Sequence, residues 1–383
     1  MINPHIFRAY DIRGLYGSDL TGDSSYEIGR GVGTYFRKLH SGNIPTIVVG
    51  RDNRTHGEEL KQSFIQGMLD CGINVVDIGE VPSPLMYFSV SFGKFDGGVN
   101  ITASHNPKEY NGYKVVSKMA HSICGEELQK IREIIEQNTF STGKGTVEKK
   151  SFFNEYKSEI KEKVSLKKKI KVVVDAANGI AGSFYPEILE NIGCDVIKLF
   201  CESDGNFPNH EPDPIVEKNL ETLIEKVKKN QADLGIAFDG DGDRVGVVDE
   251  LGNFHDANQL LILLAQDIST RNKTSVIYTV SCSSTIEEEV EKVGGKAIMV
   301  PVGHSYVETA MREHNALLGG EQSGHFFIAE NYYPFDDACF TAANIIRIAS
   351  NSENPFSEIF KKMPRTYQTA EIRPDCPDNI KFE

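Results

Sequence analysis

The chain has 383 residues, enough for two or three domains of about 150 residues, each with its own buried core. Hydrophobic residues make up 39 % and charged residues 25 %, ordinary globular values, and no apolar run approaches the roughly eighteen residues of a membrane span. With 55 acidic against 41 basic residues the formal charge is −14 and no long basic patch exists, which argues against a nucleic-acid partner. An anionic ligand would have to be held in a cleft by locally focused cations, metal and backbone amides.

The chain opens Met1-Ile-Asn-Pro-His, without a basic region, apolar core and small-residue cleavage site, so a cytoplasmic protein is expected. Cysteines at 71, 124, 194, 201, 282, 339 and 376 form a scattered set with no Cys-x-x-Cys, which reads as reduced core thiols and not as a disulfide framework or zinc ribbon. Phe7 to Gly14 crowds Arg8 and Arg13 around Tyr10 and a glycine turn.

Three segments then share one grammar: an apolar β-rich strand, a helical stretch, and a glycine shortly before another apolar strand. The first runs from Thr46 through Gly72 to Ile78, the second from Val172 through Gly193 to Ile197, the third from Val276 through Gly295 to Val300. The separations of these glycines, 121 and 102 residues, suit whole domains and are too long for a solenoid repeat. The expected fold is therefore α/β, three tandem related domains with mainly parallel but mixed sheets, and with functional loops gathered at the carboxyl ends of strands. Boundaries are expected near 149 and 253, giving domains 1–149, 150–253 and 254–366, with a short tail at 367–383. The densest basic cluster, Lys167-Lys168-Lys169, reads as a solvated linker ahead of a strand.

Three loops carry chemistry. After the apolar run beginning at Gly98 comes Thr102-Ala-Ser-His-Asn-Pro107, then Tyr110-Asn-Gly-Tyr-Lys114. Asn-Pro and Asn-Gly alone mark turns, but a serine in a strand-end loop beside His105 can act as a phosphoryl-accepting nucleophile, with Lys114 as charge partner or general acid/base. Asp239-Gly-Asp241-Gly-Asp243-Arg244 lies between two predicted strands; three converging carboxylates repel one another unless a cation joins them. An EF-hand is excluded because Arg244 stands where that loop needs glycine and both flanks read as strands. Mg²⁺, which suits three monodentate carboxylates and keeps room for a phosphate oxygen, is the expected metal.

Gly319-Gly-Glu321-Gln-Ser323-Gly-His325 crowds polar side chains between glycines, which suits sugar hydroxyls, although a plain hairpin turn would use the same residues. Gly303-His304-Ser305 is expected to open a helix from Tyr306 to Asn315, with Ser305 and Glu308 as a capping box and the N-terminus favouring an anion. Neither a Walker A loop nor a Gly-x-Gly-x-x-Gly dinucleotide loop occurs.

Taken together and in this order, these segments resemble the α-D-phosphohexomutase family, most closely its phosphomannomutase/phosphoglucomutase branch, over almost the whole chain. The resemblance implies a phosphorylated Ser104, Mg²⁺ held by Asp239, Asp241 and Asp243 together with the Ser104 phosphate, and sugar hydroxyls bound by Glu321 and Ser323. Lys114 would match the family's proposed acid/base, Arg244 would stabilise charge beside the metal, and Tyr10, Arg13 and His304 would line the cleft. Phosphoryl transfer from Ser104 to a hexose monophosphate would pass through glucose or mannose 1,6-bisphosphate, which also serves as activator. The implied enzyme is a monomer or homodimer without nucleic-acid or membrane partners.

Two departures stand out. The family's fourth domain, which clamps the distal phosphate, would only be starting at 367–383, and the branch's usual lysine after the first strand of domain three is replaced by Ser281. A phosphoglucosamine mutase, a Mg²⁺-dependent phosphohydrolase and a non-catalytic sugar-phosphate-binding remnant remain as alternatives.

Overall fold

The computed structural model describes residues 2–40 and 42–364, so the expected stub of a fourth domain and Cys376 lie outside the described residues. The first sheet contains β1 (Ile12–Leu15), β2 (Thr46–Arg51), β3 (Asn74–Glu80), β4 (Gly97–Ile101), β5 (Tyr110–Ser117) and β6 (Val147–Lys149), in the order β1-β5-β4-β2-β3-β6. The second contains β7 (Lys171–Asp175), β8 (Asp195–Leu199), β9 (Leu234–Phe238), β10 (Val245–Asp249) and β11 (Phe254–His255), in the order β11-β10-β9-β7-β8. The third contains β12 (Ser275–Thr279), β13 (Lys296–Val300), β14 (Leu318–Gly320) and β15 (Phe326–Ile328), in the order β13-β12-β14-β15.

One frame recurs in all three. The strand that opens the shared frame (β2, β7, β12) lies between the two that follow and pairs parallel with both. The next strand (β5, β10, β15) then turns back antiparallel. Parallel pairing at the centre requires helical crossovers that cover the faces, which is why β4, β9 and the middle of β2 are buried throughout and, Asn100 of β4 apart, read as apolar runs. In each unit the return to the antiparallel strand is a hairpin at the carboxyl end of the third strand: residues 102–109, 239–244 and 321–325. The three chemistry-bearing loops thus hold equivalent places.

The units are packed together through one continuous apolar cluster. Helix Ser83–Gly93 carries Leu85, Met86, Tyr87, Phe88 and Val90, apolar on every side, and is buried accordingly. Phe88 meets Tyr156 and Tyr333 with ring centres 5.2 and 5.9 Å away, and Tyr87 meets Phe335 at 5.6 Å, so aromatic contacts tie the first unit to elements of the other two.

Two expectations are corrected. The edge strand β11 lies beyond residue 253 and pairs with β10, Val247 opposite His255, so the second sheet runs past the expected boundary. The helix expected from Tyr306 spans His304–His314, and its N-cap is Gly303, at φ 137°, with no side-chain cap. Glu308 serves elsewhere: it accepts from the Ser122 amide at 3.0 Å and pairs with Arg312 at 2.8 Å, tying this helix to the first unit.

Candidate active site

Ser104 sits at φ 52°, a conformation uncommon outside glycine, asparagine and aspartate, and is 1 % exposed. Its amide donates to Thr102 Oγ1 at 2.9 Å, and its hydroxyl donates to Asp239 Oδ2 at 2.8 Å and lies 3.2 Å from His105 Nδ1. Arg54 holds the loop in this shape. Its guanidinium donates to the carbonyls of Ser104 (2.8 Å), Asn106 (2.6 Å), Pro107 (2.7 Å) and Tyr110 (3.1 Å), while Asp52 neutralises it at 3.1 Å and also accepts from Thr102. A Cβ at Gly240 would lie 2.5 Å from the Ser104 carbonyl oxygen, so the two loops can meet this closely only because residue 240 has no side chain.

Asp239, Asp241 and Asp243 are all fully buried, and each offers an oxygen within 4.8 Å of the others'. Asp239 Oδ1 accepts from the amides of Asp243 and Arg244 at 2.9 and 3.1 Å, and Asp241 Oδ2 accepts from Ser83 Oγ at 2.6 Å. Lys114, on β5, donates to Asp241 at 2.7 Å and also to Asp243. Burial opposes the Lys114 charge, but these two carboxylates outweigh it and hold the ammonium well above its usual pKa. For Asp241 burial and repulsion by Asp243 are outweighed by Lys114, with Ser83 assisting, and for Asp243 burial is outweighed by Lys114, His325 and Arg244, so both carboxyls fall below their usual range. Asp239, pushed well up by burial and then by its two neighbours, is left under-compensated. Asp241 Oδ1 and Asp243 Oδ1 are buried without a hydrogen-bond partner. A single ammonium among three carboxylates, with orphaned buried oxygens, fits a hard divalent cation.

The opposite wall comes from the third unit. Glu321, 4 % exposed, accepts from the Gly303 amide at 2.9 Å, and burial raises its carboxyl pKa. Gln322 and Ser323 are half-buried beside it. Arg244 donates from Nε to His325 Nε2 at 2.9 Å, so the second and third hairpins touch; the Val245 amide donates to the Gly324 carbonyl at 3.1 Å. Burial lowers His325 to about 4. The His304 and His325 rings stack with centres 5.9 Å apart, and Tyr10 packs edge-on to His304 and donates to the Val302 carbonyl at 2.6 Å. Arg13 donates to Asn106 Oδ1 at 2.7 Å and also pairs with Asp11. Ser281 is exposed, its hydroxyl 3.0 Å from Thr279 Oγ1.

Ser104, Lys114, the three aspartates, Arg244, Glu321 and His325 thus converge on one region between the units. Arg54, Asp52, Ser83 and Asp336 escaped notice because they reach the site across 50 to 158 residues of chain or lie outside any motif. For Arg54 and Asp52 a signal did exist: Arg51-Asp-Asn-Arg54 follows the apolar strand β2 at its carboxyl end.

The chain matches the models of phosphoglucomutase/phosphomannomutase alpha/beta/alpha domain I over residues 4–142, domain II over 150–252 and domain III over 256–367. It is 43 % identical over 378 residues to a phosphomannomutase/phosphoglucomutase of Pseudomonas aeruginosa, covering 98 % of this chain and 81 % of the relative. It is 39 % identical to a phosphoglucomutase of Neisseria gonorrhoeae over 380 residues, 98 % of this chain and 82 % of that one. The crystal structure of a phosphoglucomutase/phosphomannomutase family protein from Burkholderia thailandensis superposes with a TM-score of 0.92 at 37 % identity, covering 97 % of this chain and 82 % of that one. On this evidence the chain belongs to the phosphoglucomutase/phosphomannomutase family of the α-D-phosphohexomutase superfamily.

Proposed function

We propose that this chain interconverts hexose 1-phosphate and hexose 6-phosphate, of glucose and mannose, with Ser104 as the phosphoryl carrier. The observation that carries the reading is the 2.8 Å contact of the Ser104 hydroxyl with Asp239, where the loops of the first and second units meet. Phospho-Ser104 passes its group to the free hydroxyl of a hexose monophosphate; the resulting 1,6-bisphosphate turns over and returns its other phosphate to Ser104. Added glucose or mannose 1,6-bisphosphate therefore activates by loading the serine.

Asp239, Asp241 and Asp243 are the residues that would hold Mg²⁺, which when bound offsets the charge spread over a transferring phosphoryl group. Lys114 supplies positive charge at the same place and, with His105 beside Ser104, is the candidate for moving the hydroxyl proton. Arg244 contributes a further cation. Glu321 and Ser323 accept from and orient the sugar hydroxyls, and Tyr10, Arg13 and His304 line the cleft. With β11 included, we place the units at 1–149, 150–255 and 256–366. The enzyme is a cytoplasmic one, monomeric or dimeric.

The test is radiolabelling from glucose 1,6-bisphosphate. Ser104→Ala is expected to abolish incorporation while leaving the fold intact, and undiminished labelling would overturn the assignment. Product analysis with glucose 1-phosphate separates the remaining readings: glucose 6-phosphate marks a mutase, free phosphate a hydrolase, no change a binding protein. Glucose and mannose phosphates are expected within about tenfold of each other, or about 1.4 kcal/mol, because Glu321 reads positions away from the 2-hydroxyl. A preference of more than about a hundredfold for glucosamine 6-phosphate would move the chain to the phosphoglucosamine mutases.

A further inference from the structure

Residues 200–216, between β8 and the helical turn at Glu217–Leu220, form an irregular segment that no part of the proposed reaction uses. Such loops longer than about 12–15 residues are uncommon inside compact domains, so what ties this one down matters. It is seated on the stretch of the first unit that carries the serine clamp. A Cβ at Gly205 would lie 2.3 Å from the Asn53 carbonyl oxygen and 2.8 Å from the Arg54 Cα, and the Phe207 ring lies 5.2 Å from the Arg54 guanidinium. Pro212 reaches the aspartate loop, 3.4 Å from where a Cβ of residue 240 would stand. Asn53 donates to the Asn178 carbonyl at 2.7 Å, and Asn209 donates to Asn178 Oδ1 at 2.7 Å, so the segment and the residues flanking Arg54 share one hydrogen-bonded hub.

His210 latches this segment to β7. Its Nδ1 is 2.8 Å from the Glu211 carbonyl oxygen, and its Nε2 is 3.3 and 3.2 Å from the two oxygens of Asp175, at the carboxyl end of the strand. Carbonyl and carboxylate oxygens only accept, so both contacts are hydrogen bonds only when both ring nitrogens carry hydrogen. The arrangement is built for an imidazolium. Asp175 also accepts from the Ala177 amide at 2.9 Å, which fixes the turn where Ala177 and Asn178 stand at φ 47° and 60°. The charged groups facing the ring are Asp175, from β7, and Glu211, from its own segment. Phe200 packs edge-on at 5.6 Å, and Cys201, near Asp175, stays a neutral thiol because burial pushes it up to about 12. Burial opposes the imidazolium, but the Asp175 hydrogen bond and charge, with Glu211 assisting, outweigh it and raise the pKa.

We propose that His210 is a positioning residue for the serine loop: as an imidazolium it holds the 201–216 segment behind Arg54, and loss of its proton to solvent loosens the Arg54 clamp and slows phosphoryl exchange at Ser104. The effect on exchange rests on the phosphoserine reading; the latch itself does not. A neutral ring keeps one hydrogen, which the carboxylate retains at Nε2, and the Nδ1 lone pair then opposes the Glu211 carbonyl. Asn209 and Pro212, on either side of His210 and Glu211, carry the displacement to Asn178 and to the aspartate loop. Because the pKa of the folded ring lies above the ordinary histidine value, the latch is complete at low pH and is lost as pH rises through the raised value.

The test uses the intact chain from about pH 6 to about pH 9. Deuterium exchange at the imidazole C2 carbon, read by mass spectrometry on the peptide 201–216, whose only histidine is His210, reports the protonation of that ring without a variant. Backbone exchange of 201–216 and 102–110 is read in the same samples, corrected for its intrinsic pH dependence. The ring is expected to titrate above an ordinary histidine, and both segments to lose protection together through that titration while helix Ala338–Asn351 keeps its own. In His210→Gln, which offers one donor and no titration, Ser104 labelling from glucose 1,6-bisphosphate at low pH is expected to fall about threefold or more, without the decline across that window shown by the wild type. A ring that titrates at or below the ordinary value, or segments that keep their protection throughout, would overturn the latch. A decline unchanged in His210→Gln would overturn its effect on exchange. If the wild type takes no label at any pH, the phosphoserine reading falls, and the two exchange measurements still decide the latch.

Discussion

The hairpin loops 239–244 and 321–325 occupy equivalent places in the second and third sheets, yet they are loaded in opposite ways. The first packs three carboxylates and no partly exposed acceptor into a buried space, with Ser104, Lys114 and Ser83 brought in from the first unit to share the charge. The second carries a single carboxylate, Glu321, held by one backbone amide, and leaves Gln322 and Ser323 half-open. In the first, electrostatic repulsion dominates and calls for a cation. In the second, directional hydrogen bonding dominates, which is what discrimination among neutral hydroxyls needs. One backbone frame thus serves bond making in one copy and ligand reading in another.

Mutation should expose this division. Asp241→Asn removes a charge from the dense loop, and transfer is expected to fall by about 10³-fold, roughly 4 kcal/mol, chiefly in kcat and with partial rescue at high Mg²⁺. Full wild-type activity in excess chelator would erase the contrast. Gly240→Ala places a Cβ within 2.5 Å of the Ser104 carbonyl, in contact with backbone that Arg54 holds fixed. The expected cost is about 2–3 kcal/mol, read as loss of Ser104 labelling or of thermal stability; a silent variant would show that the two loops are not seated against each other.

Glu321→Gln, on the sparse loop, is expected to cost about 1.5–3 kcal/mol, appearing mainly as a raised KM for the sugar phosphate. The pH profile sharpens the point. Burial raises the Glu321 carboxyl, so as pH falls through its pKa the acceptor is protonated and kcat/KM drops, at a higher pH than an ordinary glutamate would give. Asp241 and Asp243 lie below their usual range and add no limb in that window. Asp239, raised by burial and its two neighbours, contributes to the same limb, so Glu321→Gln should change the limb without abolishing it; a limb unchanged in Glu321→Gln would assign it to Asp239 alone. Ser323→Ala is the smallest change, about 1 kcal/mol or up to about tenfold in KM, with kcat untouched.

Much of this was legible in the chain because the chemistry sits in compact loops between apolar strands: Asp239-Gly-Asp241-Gly-Asp243 states its own need for a cation, and the recurring strands state the tandem α/β plan. What was not legible depends on distance through space. Ser83 meets Asp241 across 158 residues, and nothing in the residues around Ser83 marks it as a partner. The capping box at Ser305 and Glu308 had the right spacing, but spacing says nothing of Ser122, whose amide claims Glu308. Asp336 stands eleven residues past His325, on a segment that returns to the site only after β15 has crossed the sheet.

Arg54 carries one last consequence. All three of its guanidinium nitrogens are committed, to the Asp52 carboxylate and to the carbonyls that shape the serine loop, and the guanidinium carbon lies 5.2 Å from the centre of the Phe207 ring. The conformational entropy of a loop with a left-handed serine is then surrendered once, when the chain folds, and not again at each turnover. A lysine at this position would keep the charge but not the planar fork, so the loop would regain its freedom and the serine would have to be reordered every time a phosphoryl group is exchanged.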